Sequence, residues 1–517
     1  MTQWVYLVEL TGKRASTTDT YRYATRDYTT APSDALPNSW YAGRVVGIGA
    51  IERRIFAAGE SGVRANPRSE VSVGVIDLSN VDGELDDTFM HVSFRERQVR
   101  VLRVAAGAAY ATAEVVLVGS IGQAALGGDT VSVSIRDHLY LLDSQHQTAT
   151  YGGTNSLPSG VDGTAELAGK PKPLLYGSAF KLPPPCVNTS RLIYQVSARA
   201  LQSVDAVYDG GVALTAGATY ASQADMESTS PAPGEYRAWL AGGMIRLGSS
   251  PVYRLTVDAT ADSAANSTAA QLLNALAAAR GITSIDAADI TTLDAQNAAV
   301  LGMWVDDGRT TMEIMDVVAR SVGAWYGFDR LGVLRMQRIA LPSGTAGDGS
   351  LPVVAPWNAV MCESVPTGED VPTLEIVLRC KRYYLTQSRS DLAGAVSDAD
   401  AADLAQQWRD ATTAGGISPN PYARTLRAER ETAFADPTDA IIESARLFNI
   451  TKYRLRTYLV RGVDMSDELL RDLDLNQAIE LRWQRYGLGL TVGTVRLLIG
   501  IRMDVLAQRA DLTVWGT

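Results

Sequence analysis

Cysteine and histidine are scarce in this chain: its 517 residues carry only three of each. Cys186, Cys362 and Cys380 are odd in number and far apart, which argues against a disulfide framework and for synthesis in a reducing cytoplasm. No run approaches the roughly 18–20 apolar residues that a membrane helix needs. The opening MTQWVYLVELTGKR has no basic start, long apolar core or small-residue cleavage site, so it reads as a first strand and not a signal peptide. An excess of positive charge is missing too. Lys and Arg number 47 against 57 Asp and Glu, a formal net charge of −10, which argues against a protein built to grip nucleic acid. Such a surface repels phosphate backbones within roughly 8–10 Å at physiological salt. Hydrophobic residues make up 46% and charged ones 20%, so ordinary globular folding is expected, over three or four cores rather than one.

What is present is mostly β patterning. Val131, Val133 and Ile135 alternate with Ser132, Ser134 and Arg136; Val71, Val73 and Val75 repeat the pattern, as do Val99 and Val101 among arginines. Short strands between Gly, Asp and Asn turns predict an antiparallel barrel or sandwich. The stretch 151–163 is turn chemistry and marks a first boundary. Three prolines at 183–185 predict an edge or connector, and Asp209-Gly210-Gly211 predicts a hairpin. Periodicity then changes. Leu272, Ala275, Leu276 and Ala279 predict one face of a helix closed by Gly281. Thr310 with Glu313 forms a capping box ahead of Ile314, Val317, Val318 and Val322, and DRLG at 329–332 looks like a hairpin turn. Leu374, Ile376, Leu378 and Cys380 share a strand face. Ser397 caps a helix carrying Ala401, Leu404, Ala405 and Trp408, expected to stop in the loop at 414–421. Asp436-Pro437 starts another, with Ile441, Ala445 and Phe448 buried, and strands at RTYLV, AIELRW and DLTVWG finish the chain. The fold class expected is mainly β with α+β parts: two barrel-like β domains plus smaller β and α/β domains. The divisions fall at 1–160, 161–250, 251–350 and 351–517.

Each motif that carries chemistry has a plainer reading. Asp77, Asn80, Asp82 and Asp86 offer oxygen ligands in LSNVDGELD, yet the EF-hand alternation and terminal Glu are missing, and an Asp-Gly turn suffices. Gly163 through Gly169-Lys170 has one residue too many for a phosphate loop, and Pro171 stands where Ser or Thr belongs. His91, His138 and His146 are the candidate bases, but no G-x-S-x-G elbow or H-E-x-x-H run accompanies them. Asp306-Asp307 is a carboxylate pair of the kind that arises by chance among 57 acids. The arginines of RERQVRVLR, with Arg53 and Arg54, read as a solvated or subunit-contact face rather than a DNA groove. No catalytic, cofactor-binding or metal residue is assigned, and no cofactor is expected.

Five segments stand in fixed order: LSNVDGELD at 78–86, GKPKPLLYG at 169–177, GAWYGFDRLGVLRMQR at 323–338, QRYGLG at 484–489 and DLTVWG at 511–516. Their succession across nearly the whole chain resembles the tail hub, or baseplate hub, proteins of long-tailed bacteriophages. The resemblance implies a structural virion protein of the tail tip, without enzymatic activity. It implies a homotrimer in which two barrel-like domains per subunit make a pseudo-six-fold ring around a channel for DNA ejection. Implied neighbours are a distal tail protein or tail tube ring, the tape measure protein and a central fibre or tip; genomic DNA passes without specific binding. The iron–sulfur cluster linked to some related hubs is not carried over, because three cysteines supply no four-thiolate set.

Two other functions compete. A tail-associated cell-wall hydrolase predicts muralytic activity lost with one Asp or Glu, but no helix-embedded glutamate motif or metal site is evident. A receptor-binding fibre predicts sequence repeats and a clustered aromatic face, and neither is found.

Overall fold

The structure, a computed structural model, describes residues 3–55, 67–366, 371–416, 425–453, 455–466 and 468–517. It is mainly β, with several sheets and short helices between them. The largest sheet draws on both ends of the chain. Its hydrogen-bonded order is Thr17–Ala24, Trp4–Arg14, Gln98–Ala105, Glu114–Leu126, Thr130–Arg136, Ser69–Ser79, Ile51–Ile55, Thr494–Asp504, Arg509–Gly516, Arg456–Asp464 and Met361–Val365. Val45–Ile48 branches from Ser69–Ser79, and Ala478–Leu481, with Val353–Val354 beside it, branches from Thr494–Asp504. Strands from the two ends of the chain are thus joined edge to edge in one sheet. Val131, Val133 and Ile135 point into the N-terminal core as their alternation requires, with Val99 and Val101 beside them. The pattern at Val71 does not hold across its strand. A bulge opposite Val133 and Ile135 shifts the register, leaving Val75 exposed and burying Ile76 and Leu78.

The middle of the chain builds two five-stranded sheets. One runs Val212–Ala213, Ser203–Asp209, Leu255–Thr260, Leu174–Leu182 and Gly302–Val305; the other begins at the edge strand Cys186–Asn188, just after the three prolines. The hairpin at Gly210-Gly211 forms as expected. Helix Ala269–Ala278 is capped by Thr268, but its buried face is Ala269, Leu272, Leu273, Leu276 and Ala277, while Ala275 and Ala279 are exposed. An alanine-rich helix carries little side-chain signal to orient it, so the leucines decide. Helix Thr311–Ser321 keeps its capping box and buries Ile314 and Val318 against hairpin Ala324–Phe328/Leu334–Arg338. Helix Ala287–Gln296 goes unread in the sequence because Leu293 is its one buried apolar side chain.

Two C-terminal expectations are corrected. The helix capped by Ser397 ends at Leu404, short of the expected stop in the loop at 414–421; Ala405 is exposed, Trp408 lies off the helix, and Arg409–Ala414 is a strand paired with Thr373–Cys380. The adjacent β-branched Thr412 and Thr413 there favour strand pairing over helix. From 417 the expected loop lies outside the described residues. Helix Pro437–Thr451 begins at Asp436 as expected, yet it buries Ala440, Glu443, Ser444 and Leu447, with Ile441 exposed. A buried carboxylate, invisible to an apolar-stripe reading, turns that face inward.

Strand Ala478–Leu481 holds Glu480, whose side chain is 1% exposed. It accepts from Arg482 Nε at 2.8 Å and from the backbone N–H groups of Gly493 at 2.8 Å and Gly347 at 3.0 Å. The Arg482 hydrogen bond leads in holding this carboxyl down at about 2, against an ordinary 4.5. A carboxylate lowered on folding stabilises fully above pH 4.5 and loses that contribution as pH falls towards 2. Glu480→Gln is therefore expected to lower the melting temperature at pH 7 and to flatten its decline in acid. Melting curves across that pH window check this; parallel wild-type and variant profiles would count against it.

Candidate functional site: the seam and the free edge

The two ends of the chain meet where Ile51–Ile55 pairs antiparallel with Thr494–Asp504, Arg53 opposite Ile501 and Arg54 opposite Gly500. Each side also lends side chains to the other's core. Ile55 packs among C-terminal residues such as Leu498 and Val514, whereas Val505 packs among N-terminal residues such as Val8 and Ile76. Tyr6 Oη donates to the Val505 carbonyl at 2.6 Å.

Charges reinforce this seam. Arg53, with its side chain 5% exposed, pairs with Asp474, which lies 3.4 Å from Arg335. Arg335 in turn sits 2.6 Å from Asp289, which also accepts from Gln337 at 2.9 Å. The Asp289 hydrogen bonds hold the Arg335 guanidinium above its ordinary value. One network therefore ties an N-terminal strand, a C-terminal loop, the central hairpin and helix Ala287–Gln296. Sequence reasoning missed it, because its linked members are 46 to 421 residues apart and no local spacing announces them.

The GFDRLG hairpin is a second tie. Tyr326 N–H donates to the Pro67 carbonyl at 2.8 Å, and a Cβ on Gly327 would lie 1.8 Å from Ser69 Oγ. Asp329 accepts from the N–H groups of Leu331 and Val333, shaping the turn. The Arg330 carbonyl accepts from Val118 N–H at 2.8 Å, docking the turn on strand Glu114–Leu126. A cleft of about 310 Å³ opens beside it, lined by Tyr6, Arg103, Glu114, Arg330, Arg471 and Asp472 among others. Three of its carboxylates are matched, Glu114 with Arg103, and Glu468 and Asp472 with Arg471 at 3.7 and 3.8 Å, while Asp504 accepts from Ala507 N–H at 2.9 Å.

At the far end of the sheet, Met361–Val365 pairs with Arg456–Asp464 on one side and, among the described residues, with no strand on the other. Trp357 and Val360 beside it are 65% and 72% exposed, and Met361 is 41% exposed. Thr17–Ala24 forms the opposite end of the path. This apolar edge is the surface best suited to another polypeptide.

The residues weighed in the sequence are dispersed and engaged. In LSNVDGELD, Asp82 is held by Arg44 at 2.7 and 2.9 Å, which draws its carboxyl down to about 2. Asn80 donates to Asp86 at 2.8 Å and accepts from Leu85 N–H at 2.9 Å, while Asp77 accepts from Ser132 at 2.6 Å. Lys170 is exposed at the end of a turn whose N–H groups bond back into the loop. His91 is exposed beside Asp87, and His138 packs edge-on to Phe328 with its basicity lowered by burial. His146 is held between Thr311 Oγ1 at 3.0 Å and Tyr176 Oη at 2.6 Å, and burial pushes it down to about 4. Asp307 pairs with Arg309 at 2.9 Å. Three of the arginines read as a solvated or subunit-contact face are engaged within the chain. Arg53 is buried at the seam, Arg100 lies 3.1 Å from Glu9, and Arg103 pairs with Glu114. Among the described residues no group of three or more His, Cys, Asp or Glu side chains is placed to hold a metal ion.

The chain matches no protein-family model and no curated protein. Among solved structures it is similar to the 43 kDa tail protein of prophage MuSo2 from Shewanella oneidensis, at 10% identity over 98% of this chain and 96% of that one, TM-score 0.40. It is similar to a tail protein from Neisseria meningitidis MC58, at 12% identity over 99% and 96%, TM-score 0.40. It is also similar to a chain of the native gene transfer agent virion, at 10% identity over 68% and 85%, TM-score 0.40.

Proposed function

We propose that this chain is a structural protein of a bacteriophage tail and, more finely, a tail hub whose copies close into a ring around a channel. The observation that carries the reading is the shared sheet: strands from both ends of the chain form one continuous surface that ends in an exposed apolar edge. Native proteins cover or pair such edges, and closed symmetry does so with copies of the same chain. Four of the five motifs behind the hub resemblance fall at joints of that surface, and GKPKPLLYG leads into strand Leu174–Leu182 of a separate sheet. LSNVDGELD ends an N-terminal strand, the GFDRLG turn docks on the N-terminal sheet, QRYGLG links Ala478–Leu481 to the seam strand, and DLTVWG is its neighbour.

In this reading residues 1–160 and 351–517 build the ring of a homotrimer, and 161–250 and 251–350 extend outward or downward. The ring stacks on a distal tail protein or the tail tube, meets the tape measure protein and the central fibre, and lets DNA pass through an acidic lumen. Its role is to hold and conduct rather than to catalyse.

Mass photometry of the purified chain should give particles of three copies, and microscopy an annulus with an open centre. The double variant Trp357→Glu/Val360→Asp should run as single copies while keeping the wild-type melting temperature, since both side chains face solvent within one copy. A wild-type chain that remains monomeric, or that releases sugar or peptide fragments from cell wall, overturns the proposal.

A further inference from the structure

One cleft gathers cations that the rest of the molecule leaves unpaired. It has a volume of about 90 Å³ and lies between strand Leu174–Leu182, helix Thr311–Ser321, the segment after strand Thr373–Cys380 and residues 431–435. Arg320 reaches it from the helix and Lys381 and Arg382 from the strand's exit. Among the described residues, no carboxylate lies within 4 Å of any of these three, whereas about half of the chain's arginines are paired. The buried Nε–H groups of Arg320 and Arg382 have no hydrogen-bond partner, and neither has Nη2 of the buried Arg430 nearby. Burial first, and then the charge of Arg320, pushes Arg430 down to about 10.

The walls hold these charges in place. The Arg382 guanidinium stacks 4.6 Å over Tyr384 and 5.3 Å from Trp408. Tyr384 is fixed by a 2.8 Å hydrogen bond from Trp304 N–H, and Lys381 N–H donates to the Phe434 carbonyl at 2.8 Å. Two other charged groups line the cleft. Arg309 is neutralised by Asp307 at 2.9 Å, and Glu431 stands at the exposed rim. Buried donors left unsatisfied are costly, by about 1–3 kcal/mol each and more when charged. Like charges brought together add repulsion, which a bound anion removes.

We propose that this cleft is a binding site for a phosphate-sized oxyanion, held by Arg320, Lys381 and Arg382. Cations arriving from a helix and from a strand exit suit a tetrahedral group with several acceptor oxygens better than a single carboxylate fork. The room suffices, since one water needs roughly 10–15 Å³ on the same measure. The site is independent of the ring proposed above and stands whatever the oligomeric state.

Isothermal titration of the full chain with inorganic phosphate, at constant ionic strength maintained with chloride, tests it. Saturable one-to-one binding is expected, weakened about tenfold in Arg382→Gln and in Arg320→Gln, a factor in the range of one charge-assisted hydrogen bond. Glu431→Gln removes the carboxylate at the rim and should tighten binding several-fold. That variant is surface-exposed and keeps the test valid even if an arginine variant misfolds. Heat that does not saturate, or an affinity unchanged in Glu431→Gln and in a folded arginine variant, overturns the proposal.

Discussion

Glu443→Ala is expected to cost the chain about 3–5 kcal/mol, the range for removing one partner from a buried ion pair. The Glu443 side chain is 0% exposed and accepts from Arg338 and from Arg446, the latter through Nε at 2.9 Å and Nη2 at 2.6 Å. The same two guanidiniums reach the backbone around them. Arg338 donates to the Val322 carbonyl at 3.0 Å and to Gln296 at 2.6 Å, and Arg446 donates to Ile339 at 2.5 Å. Burial already pushes Arg338 below its ordinary basicity, with the Glu443 charge opposing that shift. Alanine would leave two partly buried cations facing each other, with Arg430 close by. Glu443→Gln retains an acceptor and the volume but not the charge, and should fall between alanine and wild type. Because several cores share one chain, unfolding is best followed locally, by hydrogen exchange at Val322, Ile339 and Leu447 alongside urea denaturation. A loss under about 1 kcal/mol would mean that these cations are stabilised by water rather than by Glu443.

Why that carboxylate escapes a reading of the sequence is instructive. Helix Pro437–Thr451 announces its start through Asp436 and Pro437, since cap chemistry is local. Its orientation is not local. The apolar residues Ile441, Ala445 and Phe448 suggest one face, but the counter-charge on Arg338 selects the neighbouring one through Glu443. The same limit hides strand Thr494–Asp504. Its centre, Leu497 through Ile501, is buried on both faces at the seam, so the alternation that betrays Val131, Val133 and Ile135 is absent. Strands with one solvated face are legible, and the strand that joins the two ends is not.

For the candidate site the division is similar. The turn chemistry of the five segments is visible in their Gly, Asp and Pro residues, and each lands at a turn or strand end. What those turns are near is a tertiary fact. Nothing around Arg53 signals that Asp474 will face it, and nothing around Trp357 signals that strand Met361–Val365 will be last in its sheet. Exposure of a tryptophan is decided by sheet order, which emerges only when distant strands choose partners.

The GKPKPLLYG segment contains two glycines that test this separation of local from tertiary causes. Gly169 and Gly177 both have positive φ, 78° and 59°. A Cβ on Gly169 would meet nothing within 4 Å, whereas one on Gly177 would lie 1.8 Å from the Leu301 carbonyl oxygen. Gly177 stands opposite Gly302 in the register of Leu174–Leu182 with Gly302–Val305, and its N–H donates to Asp262 at 3.1 Å. Gly169→Ala should therefore cost about 1 kcal/mol, the left-handed backbone penalty alone. Gly177→Ala adds a backbone collision in a strand paired on both sides, and is expected to cost about 2–4 kcal/mol, the sum of that penalty and an overpacking cost. Asparagine separates the causes further. It tolerates the left-handed region, so Gly169→Asn should be nearly neutral while Gly177→Asn remains as damaging as alanine. Urea denaturation of the four variants measures both differences, and equal losses at the two positions would show that conformation rather than contact fixes Gly177.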